Sequence, residues 1–137
     1  MATFVVPDTP EMHYVRAYNA TVDALTRAAA LFHLISQDGL TTAIRNEARA
    51  KSMEALLELE LIKDQHDAVM AGQAGINPPS AAQVQRTIVI AQELAAITAA
   101  EKKFAAILNF FTEAVNAINA THAAGAPAPS PLRAPGA

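Results

Sequence analysis

The sequence predicts an all-α fold, an antiparallel bundle of three long helices. The chain of 137 residues is 52% hydrophobic, largely through alanine, and has five glycines and no tryptophan. Alanine has the highest intrinsic helix propensity. Large apolar residues recur at alternating spacings of three and four, which indicates helices with one buried face. We predict an N-terminal arm (residues 1–8), one bundle domain (9–122) and a disordered Pro/Ala-rich tail (123–137).

The first helix is predicted to begin at "DTPE". Asp8 or Thr9 suits the N-cap, and Pro10 suits the first turn. The helix is expected to end at Asp38-Gly39, with Gly39 as a left-handed cap. Its predicted inward face consists of Val15, Tyr18, Val22, Leu25, Ala29 and Phe32.

The second helix is predicted to begin near Thr41 or Thr42 and to end before the loop "AGQAGINPPS". Its inward stripe consists of Ala48, Ser52, Ala55, Leu59, Ile62, His66 and Val69. Four more large apolar residues widen that stripe: Met53, Leu56, Leu57 and Leu61. We therefore expect the C-terminal half of this helix to contact two neighbours.

The third helix is predicted to begin at Ser80, with Gln83 completing a capping box. No glycine or proline follows until Gly125, so we expect one continuous helix to about Thr121. At about 1.5 Å per residue it would be roughly 63 Å long, against roughly 42–45 Å for the others. Its last three turns would overhang and carry Phe111, Val115 and Ile118. Together with Phe104 and Leu108 these residues form the predicted interaction surface. The alternative is a break near Glu101 that folds the chain back into a four-helix bundle.

Glu101 interrupts the apolar repeat of the third helix, between Ile97 and Phe104, whereas Lys102 and Lys103 point away from the stripe. A buried carboxylate is costly unless it is paired. Three alternatives stay open for Glu101: burial beside an arginine of a neighbouring helix, exposure at a subunit boundary, or a bend. The candidate arginines are Arg27, Arg45 and Arg49.

The sequence contains no motif typical of catalysis, so we predict no catalytic, cofactor-binding or metal-binding residues and no enzyme activity. Cysteine is absent, which excludes thiolate chemistry. The Glu-x-x-His pattern of di-iron bundles, the His-Glu-x-x-His zinc motif and the Gly-x-Ser-x-Gly elbow are also absent. His66 suits a ligand or pH-sensitive position, but we interpret it as a helix-end histidine near the C-terminal carbonyls. His33 is interpreted as a partly buried core residue.

Charge and targeting signals restrict the partners of the chain. A net charge of −3 and a pI of about 5.7 do not favour nucleic acid. The N-terminus does not resemble a signal peptide, and no stretch is long and apolar enough for a membrane span. We expect a cytoplasmic protein, with signal-less secretion left open.

The predicted function is a protein–protein interaction or self-associating module, with a protein partner or a homo-oligomer. One alternative comes from the stretches "AAEKKFAAILNFFTEAVNAINA" and "AAGAPAPSP". In style, though not in a specific motif, they resemble the phasins that coat bacterial polyester granules, and this resemblance implies peripheral binding to a surface. The other alternative is a bundle that binds a small ligand.

Overall fold

The computed structural model describes residues 9–38 and 40–123, apart from the Glu101 side chain. Its elements are α1 (Pro10–Asp38), α2 (Thr42–Met70), α3 (Ala81–Ala95), a 3₁₀ turn (Ala100–Lys102) and α4 (Phe104–His122). The all-α prediction is confirmed. The three-helix arrangement is wrong, and the four-helix alternative is the one observed. The predicted arm at 1–8, the Gly39 cap and residues 124–137 of the predicted tail lie outside the described residues.

The helix starts follow the capping signals in the sequence. The Thr9 hydroxyl accepts a hydrogen bond from the Met12 N–H at 3.1 Å and so caps α1. Thr41 caps α2 in the same way, and Ser80 caps α3 by accepting from the Gln83 N–H at 3.1 Å. Each cap satisfies a backbone donor that has no partner within the helix.

The predicted long third helix breaks between Ala95 and Phe104 without a glycine or proline. Burial explains the break, because it lets α4 fold back and bury Ile107, Phe111 and Ile118. Each such side chain contributes about 1.5–3 kcal/mol when it is removed from water. The bend gives up a few intrahelical hydrogen bonds, each worth about 0.5–1.5 kcal/mol. Tertiary burial therefore outweighs local helix propensity, and no overhang forms.

In the described ranges the four helices run up, down, up and down, because the start of α1 bonds to the ends of α2 and α4 and to Pro79 just before α3. Helix α1 contacts each of the others. The Ser52 hydroxyl donates to the Ala29 carbonyl at 3.1 Å and fixes α2 against α1. Across α3 and α4, Arg86 binds both carboxylate oxygens of Glu113, at 2.6 and 2.8 Å. This hydrogen-bonded pair lowers the pKa of Glu113. The pair is about half exposed and contributes at most about 1 kcal/mol.

Over the described ranges α2 and α3 do not touch each other. The buried residues of α2 are Ala48, Ala55, Leu59 and Ile62. Because α1 is the main neighbour of α2, with α4 touching it less extensively, the opposite side of α2 faces solvent.

Candidate functional site

Two features of the bundle are candidates for function: a polar cluster at one end, and the exposed side of α2. The first, the tyrosine–histidine cluster, consists of Tyr14, Tyr18, Gln65, His66 and His122. It lies where the start of α1 meets the ends of α2 and α4. The Tyr18 and His66 rings stack with centroids 3.8 Å apart and an interplanar angle of 9°.

One tyrosine hydroxyl links the two histidines of the cluster. Tyr14 Oη lies 2.9 Å from His66 Nδ1 and 2.8 Å from His122 Nε2, and the Tyr14 side chain is only 1% exposed. On the other side of the His122 ring, Nδ1 lies 2.9 Å from Gln65 Oε1. Because an amide oxygen only accepts, His122 Nδ1 carries the proton and its Nε2 accepts from the Tyr14 hydroxyl. The Tyr14 oxygen then accepts from His66 Nδ1–H, and every bond in the chain is satisfied.

Burial shifts the protonation equilibria of this cluster towards the neutral forms. Desolvation, aided by the nearby Tyr18, raises the pKa of Tyr14 from 10.0 to about 12. Desolvation also raises the pKa of Tyr18, with a further contribution from Asp67. The pKa of His122 is lowered by desolvation and by the neighbouring His66. Protonation of His122 Nε2 would also remove the acceptor of the Tyr14 hydroxyl, so geometry and electrostatics favour the same neutral state.

These shifts predict that the protein loses stability as the pH falls below about 6.5. The unfolded chain protonates His122 near its ordinary pKa of 6.5, whereas the folded chain does so only at lower pH. Between these two pKa values the unfolded state binds more protons than the folded state. The free energy of unfolding therefore decreases as the pH decreases through this range. It levels off once the pH is below the folded pKa.

Urea denaturation of the wild type and of His122→Gln, at about pH 7.5 and about pH 5.5, measures this contribution. The wild type is expected to lose more stability between the two pH values than the variant does. His33→Gln, at an exposed position of α1, is the control and should behave like the wild type. Equal losses of stability in the wild type and in His122→Gln would show that His122 is not the source of the pH dependence.

The loop between α2 and α3 holds the cluster end of the bundle together. The Asn77 backbone N–H donates to the Thr121 carbonyl at 2.8 Å, and the Asn77 side-chain amide donates to the Ala120 carbonyl at 3.1 Å. Both carbonyls lie in the last turn of α4, where the regular helical donors run out. The Ala120 carbonyl also accepts from the Ala123 N–H at 3.4 Å. His13 Nδ1 lies 3.2 Å from the Pro79 carbonyl and joins the start of α1 to the same loop.

The second candidate is the exposed apolar side of α2, the α2 outer stripe, defined as Met53, Leu56, Leu57 and Leu61. The four side chains are between 46% and 65% exposed. Three of them, Met53, Leu56 and Leu57, line a groove of about 470 Å³ together with Leu59, Glu60 and Lys63. The sequence predicts a second neighbour for this half of α2, yet within the described residues none covers the stripe.

The residues predicted to form an interaction surface on the third helix lie mainly against the core. Phe111 and Ile118 are 3% and 1% exposed, and Phe111 meets the Phe32 ring edge-on at 5.6 Å. Phe104, Leu108 and Val115 are half-buried and pack against the same core. Because α4 folds back, the overhang on which this prediction rested does not exist. These five residues are brought together, but as one side of the bundle interior.

The polar positions singled out from the sequence have different outcomes. His66 lies near the end of α2, as expected, but it bonds to Tyr14 and stacks on Tyr18. His33 is exposed, so its interpretation as a core residue is wrong. The backbone of Glu101 lies in the 3₁₀ turn, at the bend that was one of its three alternatives. Its side chain, and the predicted pairing with Arg27, Arg45 or Arg49, lie outside the described residues.

Comparisons with known proteins assign this chain to no family. No protein-family model, curated protein or solved structure matches the chain. No helix in the described ranges is long and apolar enough to cross a membrane. Within the same ranges no group of three or more His, Cys, Asp or Glu side chains is arranged to hold a metal ion. The two candidate features therefore have to be interpreted from their own chemistry.

Proposed function

We propose that the protein is an interaction module without catalytic activity, a four-helix bundle that binds an apolar helix through the α2 outer stripe. The observation that carries the proposal is the set of four large apolar side chains that α2 exposes on one side. Burying a large apolar side chain contributes about 1.5–3 kcal/mol, so covering the stripe would supply several kcal/mol. A helix lying in an apolar groove is a common mode of recognition, with anchors spaced three or four residues apart.

Two alternatives have less support. The phasin-like interpretation relied on the amphipathic segment that forms the 3₁₀ turn and α4, but the apolar side of α4 already packs on α1. A small-ligand site between the helices would need an open space. The gap between α1, α3 and α4, lined by Thr21, Thr87 and Thr121, is closely packed. A groove of about 420 Å³ does lie between α1 and α3, but Arg16, Asp23 and Gln92, which line it, are exposed to solvent.

Site-specific photo-cross-linking tests the proposal. A benzophenone side chain is placed at position 57, or at position 40 as the control, and the chain is expressed in its source cells. Leu57 and Leu40 are 65% and 66% exposed, so the two positions differ in their place on the fold and hardly in exposure. We expect a discrete protein adduct from position 57 and little from position 40, and loss of the adduct when Leu61→Glu is added. Equal adducts from both positions, or none from position 57, would contradict the proposal.

A further inference from the structure

We propose that the occupant of the α2 outer stripe is a second copy of this chain, whose α2 packs antiparallel to the first about a two-fold axis near Leu57. This inference rests on the proposed function, in that it takes the stripe to be an interface. It adds the identity and the orientation of the partner, both of which follow from the distribution of residues along α2.

The stripe suits a two-fold arrangement because Met53 and Leu61 are spaced symmetrically about Leu57, with Leu56 next to the axis. Met53 precedes Leu57 by four residues and Leu61 follows it by four, a displacement of about 6 Å in each direction. In an antiparallel pair Met53 therefore meets Leu61 of the second copy, and the two Leu57 side chains meet at the axis. Such an interface uses the same patch on both chains, as the commonest homodimers do.

The charges beside the stripe supply the orientation. Arg49 and Asp67 are 18 residues apart, about five whole helical turns, so they lie on the same line along α2. Arg49 lies about 12 Å before Leu57, while Asp64 and Asp67 lie about 10 Å and about 15 Å after it. An antiparallel pair places Arg49 between Asp64 and Asp67 of the second copy. A parallel pair would instead place the two Arg49 side chains at the same height and leave neither beside Asp64 or Asp67.

The rest of α2 has the same asymmetry. Residues 42–54 carry three basic and two acidic side chains, whereas residues 55–70 carry one basic and four acidic side chains. Arg49 and the two aspartates are exposed, and the structure shows no ion pair for them within the described residues. The opposite charges are thus available for contacts between chains, where complementary charges set orientation and suppress wrong pairings.

Charge reversal with complementation tests the inference on the purified full chain. Arg49→Asp alone would face Asp67 of a second identical copy, and Asp67→Arg alone would face Arg49. We expect the dissociation constant measured by sedimentation equilibrium to rise at least about tenfold in each variant. A mixture of the two variants restores the attraction at both contacts, and it is expected to regain near wild-type association. Arg16→Asp, an exposed charge reversal on α1, is the control and should associate like the wild type.

The outcomes separate this inference from the proposed function. A wild-type chain that stays monomeric when purified would overturn the self-pairing, and so would single variants that associate like the wild type or a mixture that fails to recover. Cross-linking from position 57 to a different protein would then still support the interaction module. Circular dichroism of each variant checks that the helices remain folded, so that a lost dimer is not confused with a lost bundle.

Discussion

Phe111→Ala is expected to lower the free energy of unfolding by about 3–5 kcal/mol, because it removes a fully buried ring from the centre of the bundle. Phe111 is 3% exposed and packs edge-on against Phe32, which also meets Phe104 at 5.9 Å. The cost combines the lost transfer free energy with the cavity that the neighbours cannot fill. Chemical denaturation followed by circular dichroism measures the loss.

The neighbouring phenylalanine provides the control. Phe110 is half-buried and lies under the Arg86 guanidinium, 5.9 Å from its ring centroid, so Phe110→Ala should cost clearly less. The comparison also tests the fold-back of α4. If the third helix were continuous, Phe111 would lie in the overhang, and the two substitutions would have similarly small effects.

Tyr14→Phe is expected to destabilise the protein by about 1–3 kcal/mol, although it removes a single oxygen. Without that oxygen, His66 Nδ1–H and His122 Nε2 lose their shared partner, and the His122 side chain is only 7% exposed. A buried polar group left without a hydrogen bond carries its full desolvation penalty. Urea denaturation at neutral pH measures the effect.

Tyr18→Phe is the matched control, because it makes the same chemical change in the same cluster. The structure shows no hydrogen bond for the Tyr18 hydroxyl within the described residues, and the substitution keeps the ring that stacks on His66. We expect a change within about 0.5 kcal/mol. Equal losses in the two variants would mean that the hydrogen-bonded chain through Tyr14 contributes nothing specific. The protein has two tyrosines and no tryptophan, so near-ultraviolet circular dichroism arising from tyrosine reports directly on this cluster.

The sequence predicts the parts of the fold that depend on neighbouring residues. Caps at Thr9, Thr41 and Ser80 depend on contacts three residues away, and each helix start is found where these residues stand. The apolar stripe of α2 is likewise recovered at Ala48, Ala55, Leu59 and Ile62. Such features follow from local chemistry and from the helical period.

The break before α4 and the tyrosine–histidine cluster depend on contacts between distant parts of the chain. Local propensity favours helix through residues 96–103, and the one sign of the break is the interruption of the apolar repeat at Glu101. Tyr14 and His122 are 108 positions apart in sequence, so no motif joins them. Three polar or aromatic positions close to helix ends, Tyr14, His66 and His122, were the available signal. These positions indicate a cluster only when the register of all four helices is known, because only then can the three side chains be placed at the same end of the bundle.

The central claim is that a partner binds this protein on the exposed side of α2. Its most direct test is the cross-linking yield at position 57 relative to position 40. The two native leucines have nearly equal exposure, so chance encounters should give similar yields. An interface on the α2 outer stripe predicts a severalfold excess at position 57 that disappears with Leu61→Glu. Equal yields, or an excess that persists in that variant, would contradict it.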